Sequence, residues 1–241
     1  MDPLMSPLDP AVKALCAKHG FVSTRCLGSG MFSLVFPGES KVDADIRTVL
    51  KFTLDKATYA LLTRHRPWER SIHFPRLVKD HGIVGELQLD AVNKEPVYLL
   101  EIEHLERSMF SPLEPLADAV TKAFHRVGVR IMGSMDYLDM DKRTPQNVTA
   151  ILREVATEEL MLPVSIRHAL LDLSRFAWEY RHPKGSNIGA GIDFHGENFM
   201  RRGNTLIFSD PIIDRHLHES YSGIEHDEED TFREPLATVP A

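Results

Sequence analysis

The hydrophobic pattern of this chain changes period once, and that change limits the fold more than any single motif. Up to about residue 104 the apolar residues come in short runs suited to strands, at 32–36, 46–54 and 97–102. From Glu114 onward they recur at helical spacing. Leu116, Val120, Ala123, Phe124 and Val127 mark one helix, and Val148, Ile151, Leu152 and Val155 a second. Ile166, Leu170, Leu173, Phe176, Ala177 and Tyr180 mark a third. Ser111-Pro112 breaks the chain between the halves. A strand-rich half followed by a helix-rich half predicts an α+β fold.

Smaller signals fill in this outline. Asp9 as N-cap, Pro10 in the first turn and Gly20 past the end predict a short helix within residues 1–20. Phe21 to Leu27 reads as a strand, and Asp55 to His65 has helical spacing with Ala57, Ala60 and Leu61 on one side. Phe74 to Val78 reads as extended. The predicted organisation is an N-terminal capped helix over 1–20, a strand-rich lobe over 21–104, a mainly helical lobe over 105–218 and an acidic, flexible tail over 219–241.

Charge and cysteine content narrow the function classes. The formal net charge of −7 gives no basic field of the kind that holds nucleic acid. Cys16 and Cys26 form neither a disulfide framework nor a metal spacing, which suits a reducing compartment. No apolar run has membrane-spanning length and no basic-then-apolar leader opens the chain, so neither nucleic acid nor membrane is an expected partner. The expected location is the cytoplasm.

Four short segments carry chemistry, in a fixed order. Leu27-Gly28-Ser29-Gly30-Met31-Phe32-Ser33-Leu34-Val35 lies between predicted strands. Glycines there let backbone approach phosphates, with Ser33 small enough to follow, Phe32 capping the tip and Val35 packing on an adenine ring. Alone, the stretch would also serve as a plain glycine hairpin. Val49-Leu50-Lys51 puts a lysine in an apolar strand, where a phosphate partner would offset its burial. An edge lysine turned to solvent is the alternative.

Asp193-Phe194-His195-Gly196-Glu197-Asn198 follows the third helix and a glycine-containing connection, and Ser209-Asp210-Pro211 comes after a predicted hairpin over 199–208. Asp193 would orient a hydroxyl nucleophile, and Asn198 and Asp210 would hold Mg²⁺ on ATP phosphates. Turn-capping polar residues would produce the same letters. His195 is expected to be a buried structural histidine tying this loop together, and His216, His218 and His226 are spaced too loosely for a zinc site.

Taken together, these motifs resemble the protein-kinase-like superfamily, and they are most similar to the early serine/threonine protein kinases of short-tailed lytic bacteriophages. The resemblance covers about residues 20–214 and implies a bilobal fold with a reduced, mainly helical C-lobe. It implies ATP and Mg²⁺ as cofactors, with Gly28, Ser29, Gly30, Ser33 and Val35 around the nucleotide. Lys51 would contact the α/β-phosphates, Asp193 would be the catalytic base, and Asn198 and Asp210 the metal ligands. Leu99–Glu103, with Glu101 and Glu103, would form the hinge that meets adenine. Protein substrates would include host proteins and the enzyme itself, in the host cytoplasm.

The chain departs from ordinary kinases in several places. Gly191-Ile192 precedes Asp193 in place of His-Arg, and Asp210-Pro211-Ile212 stands for Asp-Phe-Gly. The Asp55–His65 segment has no Glu to pair with Lys51, and 31 residues follow Asp210, too few for the usual activation segment. Asp-x-His-x-x-Asn is also a signature of aminoglycoside-type small-molecule kinases, which keeps that acceptor class open. A non-catalytic pseudokinase that binds a host protein is a further alternative.

Overall fold

A computed structural model describes residues 14, 17–18, 26–30, 32–38, 47–88, 94–133, 144–181 and 189–217. The fold is mixed α+β and divides into two compact units, with Lys56–Arg76 set apart from the rest of the expected strand-rich lobe. The first contains the described residues up to Asp55 together with Leu77–His104. The second contains Lys56–Arg76 and the described residues from Leu105 onward. The predicted N-terminal helix falls mostly outside the described residues, although Ala14, Ala17 and Lys18 are helical. Most of Phe21–Leu27 and the whole tail over 219–241 also lie outside them.

The first unit is one antiparallel sheet. Its strands are β1 (Gly28–Gly30), β2 (Ser33–Pro37), β3 (Thr48–Thr53), β4 (Leu77–Gln88) and β5 (Lys94–Glu103), in the order β1-β2-β3-β5-β4. Every residue of β3 is buried, as suits a central strand rich in Val, Leu, Phe and Thr. Phe36 and Phe52 meet edge to face at 5.9 Å on the side away from Lys51. β4 shifts register against β5 three times. One shift is absorbed at Gly82, whose φ of 72° is costly for a residue with a Cβ. The Asp80 carboxylate accepts the Gly82 N–H at 2.8 Å and fixes that turn.

The second unit is built on three helices, α2 (Glu114–Met132), α3 (Pro145–Glu158) and α4 (Val164–Glu179). Their apolar faces are those the sequence predicts: Val120, Phe124, Leu152, Val155, Leu170 and Leu173 share one core. Each fully buried Leu there contributes about 2 kcal/mol of apolar burial. Gly133, with φ 77°, ends α2, and the Thr144 hydroxyl caps α3 by accepting the Asn147 N–H at 3.2 Å. Pro145 occupies the first turn of α3, where its missing N–H costs nothing.

Shorter elements pack on this core. Lys56–Ala60 forms α1 and runs on as a π-helical turn over Leu61–His65. β7 (Ala190–Ile192) pairs with β10 (Ile212–Asp214), and β6 (Glu106–Arg107), β8 (Phe199–Arg202) and β9 (Thr205–Phe208) form a three-stranded sheet. The β8–β9 hairpin, predicted over 199–208, turns at Gly203, with φ 56°.

Candidate functional site

In the first unit, strand register decides which predicted residues share a face. Lys51 lies opposite Val35 on β2 and Leu100 on β5, and Val35 lies opposite Gly28 on β1. Because directly opposed residues project to the same side, Gly28, Gly30, Ser33, Val35 and Lys51 line one face. The glycine stretch is itself strand β1, with Gly30 opposite Ser33. Among the described residues, no atom beyond the chain neighbours lies within 4 Å of a Cβ added at Gly28. Lys51 is 5 % exposed, which rules out the edge lysine turned to solvent.

One expectation about this unit gains detail and another needs correction. Phe32, expected to cap the tip, is buried, and its carbonyl accepts the Leu54 N–H at 2.9 Å and the Thr53 hydroxyl at 3.3 Å. It anchors the hairpin to β3. Glu101 and Glu103 alternate with Leu100 and therefore project to the face opposite Lys51. There Glu101 accepts the Thr48 hydroxyl at 2.7 Å and lies 3.8 Å from His81. Leu99–Ile102 is paired with β3 and β4 at once, so the backbone groups of those four residues are used within the sheet, while Glu103 is paired with β3 alone.

In the second unit, Asp193, Asn198 and Asp210 are brought together by hydrogen bonds at the ends of short strands. Asp193 follows β7, and its N–H donates to the Pro211 carbonyl at 3.0 Å, continuing the β7–β10 ladder by one step. The chain then turns through Gly196–Asn198. The Asn198 side-chain amide donates to the Asp193 carbonyl at 2.8 Å. That acceptor fixes the orientation of the amide, so Nδ2 is committed and Oδ1 is its oxygen donor. The Asn198 carbonyl accepts both the N–H and the hydroxyl of Ser209, at 3.0 and 2.9 Å. Asp210 follows directly, and its Oδ1 accepts the Thr58 hydroxyl at 2.9 Å.

Phe194 anchors the loop between the two polar residues. Asp193 and His195 approach each other on the exposed side of the loop, and Phe194 turns inward. Phe194 is 5 % exposed and packs on Phe124, Phe199 and Phe208 at 4.3, 5.5 and 5.4 Å. His195 is not the buried histidine expected. Its side chain is 46 % exposed and its Nε2 lies 3.5 Å from Asp193 Oδ1. The residue that ties the loop to the core is Phe194.

A second histidine does have that structural role. His73 is 4 % exposed, stacks on Phe208 and donates Nδ1–H to the Leu206 carbonyl at 2.7 Å. Its own carbonyl accepts the Phe208 N–H, and Arg202 donates to the flanking Ile72 and Phe74 carbonyls. Burial, with Arg202 adding to it, holds the His73 imidazole below its ordinary pKa and so neutral, against the opposing effect of the Leu206 bond. His73 thus docks the hairpin that separates Asn198 from Asp210.

Thr58, Phe194 and His73 are the residues that motif reading missed. Thr58 gave a signal of its own, a hydroxyl beside the apolar face of Ala57, Ala60 and Leu61 in the helix searched for an acid. As for a cation, Asn198 Oδ1 and the Asp210 carboxylate are hard oxygen donors, which suits Mg²⁺ held mainly by waters and ligand phosphates. Among the described residues no group of three or more His, Cys, Asp or Glu side chains could hold a metal. No helix among them is long and apolar enough to cross a membrane. No protein-family model matches the chain, and no curated protein matches it either.

Proposed function

We propose that this protein is a kinase of the bilobal, protein-kinase-like type, transferring the γ-phosphate of ATP to Ser or Thr hydroxyls of proteins, its own included. The observation that carries this reading is the Asp193–Asn198–Asp210 arrangement, in which each residue is pinned by a separate hydrogen bond. Asp193 orients the acceptor hydroxyl and takes its proton as the new O–P bond forms and ADP leaves. Lys51 supplies positive charge to the α/β-phosphates, and Gly28, Ser29 and Gly30 let backbone approach them. Asn198 and Asp210 would hold Mg²⁺, which would supply neutralisation of phosphate charge. Host proteins are the substrate class that goes with this reading.

The test is transfer from γ-labelled ATP in Mg²⁺ to the protein itself and to a host lysate, comparing wild type with Asp193→Asn. Wild type labels Ser and Thr, and the variant loses about 10²- to 10⁴-fold in rate, the range for a positioned base, with its unfolding midpoint unchanged. Failure of wild type to transfer phosphate to any acceptor overturns the reading. One observation favours a small-molecule acceptor instead: only Pro211 separates Asp210 from β10, too short a link between them to lay a peptide against. Labelling of a low-mass acceptor with lysate proteins unlabelled would establish that second reading.

A further inference from the structure

Helix α1 is where a kinase of ordinary type would offer a Glu, and here it offers a hydroxyl to a different residue. Thr58 is 2 % exposed and donates to Asp210 Oδ1 at 2.9 Å, with the Ile212 carbonyl 3.2 Å from the same hydroxyl. A threonine hydroxyl has one proton, and these two acceptors compete for it. The carboxylate is the stronger acceptor, since hydrogen bonds to ionised groups are about twice as strong as neutral ones. The Ile212 carbonyl keeps the buried hydroxyl satisfied whenever Asp210 turns an oxygen to another partner, so reorienting the carboxylate leaves no orphaned donor.

We infer that Thr58 is a positioning residue that sets the affinity of Asp210 for a divalent cation; this rests on the kinase reading above. Partners that orient a metal-binding side chain typically change metal affinity by about 10- to 100-fold when removed. Thr58→Val keeps the shape and deletes the proton, and Thr58→Ser restores it.

The experiment measures Mn²⁺ binding by electron paramagnetic resonance in the presence of a non-hydrolysable ATP analogue, on the full chain. Asp210→Asn is the reference variant, and thermal unfolding of each variant is followed in parallel. In Thr58→Val the Mn²⁺ dissociation constant rises about tenfold or more. The metal-free affinity for the analogue is unchanged, and Thr58→Ser lies within about threefold of wild type. Equal Mn²⁺ affinity in wild type and Thr58→Val overturns the inference while leaving the kinase reading in place. So does a loss that Thr58→Ser shares, which would mark a packing role. Wild type that binds no Mn²⁺ beyond Asp210→Asn overturns the kinase reading and the inference together.

Discussion

Lys51 sits in the middle of a strand hydrogen-bonded on both edges, whereas Asp193 sits where regular structure has just ended. The lysine takes its direction from the period of the sheet, and Gly28 and Val35 share its face for the same reason. The aspartate has no such period to rely on. Its place comes from one ladder bond to Pro211, one amide bond from Asn198 and the insertion of Phe194 into an aromatic cluster. A site on a sheet is robust to changes in individual side chains, while a site on a loop is as good as its few anchors.

The sharpest way to break this contrast is Phe194→Ala. Removing a buried aromatic from contact with Phe124, Phe199 and Phe208 is expected to destabilise the second unit by about 3–5 kcal/mol, read from urea unfolding. A loss below about 1 kcal/mol would mean that the loop has another anchor. In the first unit, Lys51→Met should leave the sheet folded, since the ladder holds the strand. It should weaken binding of an ATP analogue by about 10- to 100-fold, the worth of a charge-assisted bond to phosphate. Unchanged affinity by calorimetry would remove Lys51 from the nucleotide site.

Acid should destabilise both units. His65 and His73 of the second unit and His81 of the first are all held below the ordinary histidine pKa, in each case chiefly by burial. A folded pKa below the unfolded value means that the unfolded chain binds more protons. The stabilisation is therefore complete above about pH 6.5 and is lost as pH falls below it. His73→Asn keeps a donor for the Leu206 carbonyl without a titrating ring, and should flatten the decline in stability between pH 7 and 5. An identical slope in wild type and variant would show that His73 does not contribute.

The smallest effect belongs to Glu101→Gln. The amide oxygen still accepts the Thr48 hydroxyl, so stability should change by no more than about 1 kcal/mol. Nucleotide affinity should not change, because the side chain lies on the face opposite Lys51. A tenfold loss of affinity would put that carboxylate at the ligand after all.

How much of this was legible in the sequence follows from the kind of order involved. The three long helices were legible because Val120, Leu152 and Leu170 repeat a period set by the core. The face shared by Val35 and Lys51 was within reach of spacing arguments, and the β8–β9 hairpin was marked by its Gly203-Asn204 turn. The β4–β5 hairpin was harder to read, because three register shifts blur the alternation of β4. The face taken by Glu101 and Glu103 was not legible, since nothing local reveals that Leu100 is the residue opposite Lys51. His195 was misjudged because an extended triplet offers two orientations, and only the tertiary position of Phe124 and Phe208 decides which residue turns inward. Thr58 reaches Asp210 across 152 positions, a contact that no local pattern encodes.

The bond from the Asp193 amide to the Pro211 carbonyl has a consequence for thermal motion. Ile192 and Ile212 pair immediately beside it, so Asp193 and Asp210 are attached to the two rails of one short ladder. When that ladder breathes as a unit, both carboxylates are carried together and the spacing between them is preserved. Fluctuations that would spoil the geometry are those that pull the rails apart, and such an opening must expose the Asp193 amide. Its hydrogen-exchange rate therefore reports how often the two carboxylates lose their registration.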